Sequence, residues 1–208
     1  MLLKRILAVL SMVGLLLGVA VARAEQAPDA LIQTVSGDVI ETIKADKAIQ
    51  AGDLKRINAL VDSKVMPYVD FERMTASAVG RYWRQATPEQ QKRLEDEFKA
   101  LLVRTYAGAL TQVRDQTVQL KPMRSSPGDN EVVVRTQVVG KGEPIQLDYR
   151  LEKAGDSWKI YDVNVLGVWL VEQYKNSFAQ EIGSKGIDGL ISKLAERNKS
   201  AGASAGKS

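Results

Sequence analysis

Residues 145–152 read Ile145-Gln146-Leu147-Asp148-Tyr149-Arg150-Leu151-Glu152, an unbroken alternation of apolar and polar side chains. Successive side chains of a β-strand point to opposite faces, so this period of two predicts a strand with one apolar and one polar face. Such a strand packs its apolar face on other elements and turns the polar face to water, which is typical of antiparallel sheets.

Three other segments have the same period, and turn-forming residues separate the four. The predicted strands are residues 117–124, 131–139, 145–152 and 158–166, with turns at 127–130, 140–142 and 155–156. The sequence therefore predicts four antiparallel strands. In the last strand, strict alternation places Tyr161, Val163 and Val165 on one face, opposite Trp158 and Ile160.

Upstream of the strands, apolar residues recur at helical spacing instead. The predicted helices begin at Pro28, after Gly52-Asp53, at Asp70 and after Thr87, where Thr87-Pro88-Glu89-Gln90 forms a capping box. The second ends at Pro67 and the third at Gly80. Two more helices are predicted after the strands, one from about Val168 and a last one that ends with Leu194.

Helices followed by strands and then helices again predict an α+β fold, a helical bundle packed on a curved four-stranded antiparallel sheet. This arrangement resembles the cone of nuclear-transport-factor-2-like proteins, in which helices close one end of an apolar pocket floored by the sheet. The resemblance is one of architecture and implies no activity.

The chain contains no histidine and no cysteine among its 208 residues. This composition excludes Ser-His-Asp catalysis, cysteine nucleophiles and the Cys/His sites that hold most protein zinc. Carboxylates, lysines and tyrosines remain, so acid–base chemistry and hard-cation sites stay open. Binding is the function that the composition favours, with no catalytic residue, cofactor or metal expected.

Residues 1–24 resemble an export signal, with Lys4 and Arg5 before an apolar run from Ile6 to Val21 and small residues at Ala22 and Ala24. We expect cleavage after Ala24 and a soluble periplasmic protein. A retained membrane anchor is the alternative, although the apolar run is shorter than the roughly 20 residues that a span needs.

Without this leader, which contains three basic residues and no acid, the net charge is +1. A nearly neutral chain has no general attraction to nucleic acid, and no nucleic-acid partner is expected. We expect one monomeric domain at residues 25–197 and a disordered tail at 198–208, which is rich in Ser, Gly, Ala and Lys.

Several motifs along the chain are similar to those of one known family. They are Asp70-Phe71-Glu72-Arg73-Met74, Gly80 to Thr87 (GRYWRQAT), Leu101 to Tyr106 (LLVRTY), Trp158 to Val163 (WKIYDV) and Gly167-Val168-Trp169-Leu170, followed by Tyr174 and Phe178. In this order and spacing the chain resembles the MlaC family, also called the toluene-tolerance auxiliary family, from about Pro28 to Leu194. The family commonly has a small residue where this chain has Trp169.

The resemblance implies a periplasmic phospholipid carrier, with the lipid as cargo rather than cofactor. Its implied partners are an outer-membrane lipoprotein–porin complex and an ATP-driven lipid transporter of the inner membrane, and its implied role is to maintain outer-membrane lipid asymmetry. The expected lipid-binding residues lie on the inner sheet face, the long helix and the segment after the last strand: Leu102, Tyr106, Val134, Leu147, Tyr149, Leu151, Tyr161, Val163, Val165, Leu166, Val168, Trp169, Leu170 and Tyr174.

Two other functions remain open from the residues alone, and the alternating positions also fit a plain core. A small-molecule enzyme on the same fold would use Tyr149 and Asp148, but adjacent strand residues face opposite ways and cannot share a site. A ligand-free periplasmic adaptor would use the fold only as an interaction scaffold.

Overall fold

A computed structural model describes residues 26–123, 126 and 128–205 of the chain. The predicted leader at 1–24 lies outside these residues. Five strands form one antiparallel sheet in the order β1-β2-β3-β4-β5. Their bounds are β1 Thr117–Leu120, β2 Glu131–Val139, β3 Ile145–Ala154, β4 Ser157–Val165 and β5 Val168–Trp169. Because helices pack against this sheet, the predicted α+β class is confirmed, with one short strand more than expected.

The additional strand forms where a helix was predicted to start. Leu166 (φ 53°) and Gly167 (φ 91°) both adopt left-handed backbone conformations. Two such residues in succession match the twist of a tight hairpin, so the chain turns back on β4 and pairs Val165 with Val168. The sequence-based prediction missed this turn because leucine rarely adopts a positive φ.

In the described part of the chain six α-helices accompany the sheet: α1 Pro28–Ala45, α2 Lys47–Gln50, α3 Leu54–Leu60, α4 Phe71–Val79, α5 Pro88–Leu110 and α6 Leu170–Ala205. The predicted capping box is present, since the Thr87 hydroxyl accepts from the Gln90 N–H and the Gln90 side chain accepts from the Thr87 N–H. A π-helical turn at Val61–Val65 and a 3₁₀ turn at Met66–Tyr68 follow α3, so its predicted continuation to Pro67 is not α-helical.

The final helix is longer than the sequence predicts. α6 merges the two expected helices across Gly186, whose backbone is non-helical (φ 73°, ψ −179°), and continues to Ala205. Asn198, where a disordered tail was expected to begin, is buried, and its amide donates to the carbonyl and carboxylate of Glu97. Among the described residues no helix combines the length and the apolar character that crossing a bilayer demands.

A β-bulge in β4 corrects the predicted alternation. Arg150 pairs with Asp162 but Leu151 pairs with Ile160, so Tyr161 has no partner in β3. Below the bulge, Trp158 and Ile160 share the inner face with Leu151 and pack against α1. The prediction that Tyr161 shares a face with Val163 and Val165 is therefore wrong.

Apolar side chains form three clusters. The first joins α4, α5 and α6, and Phe98 lies at its centre with Phe71, Tyr174 and Phe178 around its ring at centroid distances of 5.8, 5.1 and 5.3 Å. The second joins α1 to the inner sheet face. The third joins the end of α1 with α2, α3 and the second half of α5. The clusters share elements, since α5 belongs to the first and third and α1 to the second and third, and Val69 and Val163 pack against both the first and the second.

The Phe98 ring is fully buried, so its removal is expected to reduce stability strongly. Phe98→Ala should lower the free energy of unfolding by about 3–5 kcal/mol, and Phe98→Leu by clearly less, because leucine leaves a smaller cavity. Urea unfolding followed by circular dichroism measures both. Equal losses for the two variants would contradict the central position of the ring.

Candidate functional site

The three clusters leave an apolar cavity of about 190 Å³ where they meet. Its walls come from α3, the π-helical turn, the start of α4, one face of α5, β4 and the start of α6. The lining side chains are Ile57, Val61, Val65, Met66, Val69, Phe71, Met74, Lys99, Leu102, Val103, Tyr106, Leu110, Val163 and Leu170. Among them Lys99 alone is charged, so the cavity suits a hydrocarbon ligand.

Helix α5 supplies the longest wall. Lys99, Leu102, Val103, Tyr106 and Leu110 recur three or four residues apart and form one stripe along the helix. A second stripe beside it, which includes Leu94, Phe98 and Leu101, packs against α4 and α6. A helix with apolar residues on two faces is buried on two sides, and this is the sequence signal that points to the cavity wall.

Four of the predicted lipid-binding residues line this cavity, namely Leu102, Tyr106, Val163 and Leu170. They come from three elements that lie far apart in the sequence, and the fold brings them together. Burial raises the pKa of the Tyr106 hydroxyl above its usual value, so this group stays neutral.

Other predicted residues lie on the inner sheet face beyond the cavity. Val134 and Leu151 are fully buried against α1. Tyr149 packs at the edge of the same cluster, and burial raises the pKa of its hydroxyl although Ser36 and Thr136 hydrogen-bond to it.

Leu147 and Val165 form a half-buried cross-strand pair at the end of the sheet near the β4–β5 turn. Tyr174 belongs to the aromatic cluster around Phe98 and borders a smaller cavity of about 170 Å³ between α5 and α6.

The remaining four predicted residues point away from the cavity. Leu166 and Val168 are 66% and 49% exposed at the β4–β5 turn. Trp169 pairs with Asn164, and the Arg150 guanidinium lies 4.0 Å from the centre of its ring.

Tyr161 lies on the outer sheet face, where the Arg73 guanidinium covers its ring at 3.7 Å and Glu131 accepts from its hydroxyl. Arg73 also bridges the carboxylates of Glu131 and Glu152, and so joins α4 to the sheet.

A buried carboxylate connects β4 to α6 next to the cavity. Asp162 is 1% exposed and accepts hydrogen bonds from the N–H groups of Val163 and Val171 and from the Arg150 guanidinium at 3.1 Å. Burial raises the pKa of Asp162, although these donors favour its charged form. Because Val171 follows Leu170, this contact holds the first turn of α6 against the cavity.

The outer sheet face carries an open groove of about 810 Å³, and it differs chemically from the cavity. Lys121, Glu131, Arg135 and Arg150 line it together with Tyr161. Pro122, Val132 and Val133 also line the groove, so its surface is mixed, and its four charged side chains disfavour an acyl chain.

The enzyme hypothesis required Tyr149 and Asp148 to act on one substrate. Tyr149 pairs with Val134 and Val163 on the inner face, whereas Asp148 pairs with Arg135 and Asn164 on the outer face. The two side chains do not share a site. Within the described residues, no group of three or more acidic side chains is placed to bind a metal ion.

Comparison with known proteins identifies relatives of the whole folded region. The family model described as MlaC protein matches residues 33–196. The intermembrane phospholipid transport system binding protein MlaC of Haemophilus influenzae is 27% identical over 177 residues, which are 83% of each chain. The toluene tolerance protein ttg2D of Pseudomonas putida is 27% identical over 185 residues, which are 86% of each chain.

A solved structure supports the same relationship. The phospholipid-binding protein of Ralstonia solanacearum, determined in complex with a phospholipid, is 50% identical and superposes with a TM-score of 0.81. The match covers 84% of this chain and 98% of that protein. The resemblance read from the sequence motifs is thus confirmed, and the chain belongs to the MlaC family.

Proposed function

We propose that this protein is a periplasmic carrier that binds phospholipid in the apolar cavity and moves it between the two membranes of the envelope. The observation that carries the proposal is the cavity itself, whose lining is hydrocarbon apart from Lys99 and the Tyr106 hydroxyl. A ligand that fits this lining is an acyl chain. The Ralstonia solanacearum protein has the same fold and is 50% identical in sequence, and its structure was determined with a phospholipid bound.

The energetics of lipid transfer explain why such a carrier needs a cavity and no catalytic group. A two-chain lipid exposes roughly 30 methylenes in water, and at about 0.8 kcal/mol each the cost is on the order of 24 kcal/mol. Contact with apolar side chains removes most of that cost. The protein then has only to bind, shield and release its cargo.

The cavity has to expand when it takes up a lipid. Its volume of about 190 Å³ is below the ~300–1,000 Å³ of ordinary ligand pockets. We propose that the start of α6 moves away from β4, because Leu170 lines the cavity and the preceding turn contains Gly167. The contact of Asp162 with the Val171 N–H then holds the closed state.

The proposed partners are an inner-membrane ATP-driven lipid transporter and an outer-membrane lipoprotein–porin complex. The name of the Haemophilus influenzae relative, which refers to an intermembrane transport system, supports partners at two membranes. We propose a monomeric carrier exported by the leader at residues 1–24, with energy supplied by the transporter.

A charge in the cavity should remove the cargo. Val163→Glu places a carboxylate against the acyl chains, and burying it unpaired costs several kcal/mol or forces its protonation. We expect the variant to fold and to lose co-purifying phospholipid, measured by solvent extraction and mass spectrometry.

Val133→Glu is the matched control for this variant, because Val133 lies on the outer face of the same sheet and lines the polar groove. It should retain phospholipid at the wild-type stoichiometry. Normal lipid content in Val163→Glu would contradict the proposed position of the cargo.

Release of the contact between β4 and α6 should speed lipid exchange. Asp162→Ala removes the acceptor of the Val171 N–H, and a loss of about 1.4 kcal/mol from the closed state corresponds to roughly tenfold faster release. The release rate is measured by transfer of a fluorescent phospholipid to acceptor vesicles.

Asp148→Ala provides the control for loss of a buried carboxylate from the outer face, because Asp148 accepts from Gln146 rather than from α6. Its release rate should equal that of the wild-type protein. An unchanged rate in Asp162→Ala would place the opening elsewhere in the fold.

A further inference from the structure

Lys99, the charged residue among the side chains that line the cavity, lies between the cavity and the solvent. The Lys99 side chain is 28% exposed, so it reaches both the apolar interior and the solvent. It belongs to the α5 stripe that continues through Tyr106 to Leu110. At 1.5 Å per residue this stripe is roughly 16 Å long, with its charged end at Lys99 and hydrocarbon beyond it.

Lys99 is held by a residue from outside its own helix. Its Nζ lies 2.9 Å from a carboxylate oxygen of Asp62, which belongs to the π-helical turn Val61–Val65. Val61 and Val65 of this turn also line the cavity. The ion pair thus joins two walls of the cavity at one place, and π-helical turns of this kind are frequent at functional sites.

A lysine at this position favours an anion. Its alkyl chain contacts the apolar lining while its ammonium reaches the solvent, and Asp62 supplies a negative charge 2.9 Å away. Asp62 is 54% exposed, so it can move into water when another anion replaces it. Lys99 has three donors and no fixed orientation, and it can therefore transfer from one acceptor to another.

We propose that Lys99 is the binding site for the phosphodiester of the lipid and that Asp62 occupies this site when no lipid is bound. The inference rests on the proposed function, because acyl chains along the α5 stripe bring the phosphate to its charged end. The phosphodiester is the group that all glycerophospholipids share. Lys99 therefore selects phospholipids over uncharged diacyl lipids and accepts different headgroups beyond the phosphate.

Exchange of acceptors also couples lipid binding to the cavity wall. The phosphate and the Asp62 carboxylate repel each other when both approach this ammonium, and Asp62, which is the more exposed partner of the ion pair, is the one that we propose to leave. The π-helical turn then loses its ionic contact with α5. This loosens the wall formed by Val61 and Val65 at the moment when the cavity has to expand.

The test compares two lipids with the same acyl chains on delipidated protein, phosphatidylglycerol and diacylglycerol. The wild-type protein should bind phosphatidylglycerol about tenfold more tightly, measured by displacement of a fluorescent acyl probe. Lys99→Met keeps the length of the side chain and removes its charge, and it should bring the two affinities within about twofold by weakening phosphatidylglycerol alone. Asp62→Asn, which removes the competing anion, should strengthen phosphatidylglycerol binding.

Lys92→Met is the matched control, because Lys92 pairs with Asp96 on the exposed face of the same helix. It should retain the wild-type preference for phosphatidylglycerol. Inorganic phosphate should not compete at millimolar concentration, since it lacks the acyl chains.

A wild-type preference that persists in Lys99→Met would overturn the inference while the carrier function stands, as would equal affinities of the wild-type protein for the two lipids. Binding of neither lipid by the wild-type protein would contradict the proposed function itself.

Discussion

Three apolar clusters that meet around an apolar cavity are the constraint on which the rest of this structure depends. Phe98 lies at the centre of the cluster between α4, α5 and α6. Ile32 belongs to the cluster between α1 and the sheet, and Ile57 belongs to the one between α3 and α5. Residues of all three clusters line the space at their junction, so the cavity wall consists of side chains whose other sides are packed in a core.

Polar contacts also connect the elements that surround this space. Arg73 joins α4 to two carboxylates of the sheet, Asp162 joins β4 to α6, and Lys99 joins α5 to the π-helical turn through Asp62. All three contacts are ionic or directed to a backbone N–H, so they fix positions while contributing little apolar contact.

The sequence predicts the elements of this fold better than it predicts the cavity. The capping box at Thr87 and the alternation at Ile145 to Leu151 are local signals, and both elements form as expected. The bulge at Tyr161 depends on how β4 pairs with β3, and the local sequence pattern carries no information about this pairing. Because of the bulge, Trp158 and Ile160 lie on the inner face rather than on the predicted outer face.

Val134 and Val163 read alike in the sequence, yet one fills a core and the other borders a cavity. In the sequence, Lys99 cannot be distinguished from a solvated lysine on a helix surface. Its place in the cavity wall follows from the tertiary contact of α5 with α3 and the π-helical turn.

The cavity has a mechanical consequence. Side chains that line a space have packing partners on one side only, so they lose part of the dispersion attraction that a filled core provides. The walls between the π-helical turn, α5 and β4 therefore deform more easily than the region around Phe98, whose ring is in contact with three other aromatic rings. The protein thus combines a soft region at the cavity with a stiff region beside it.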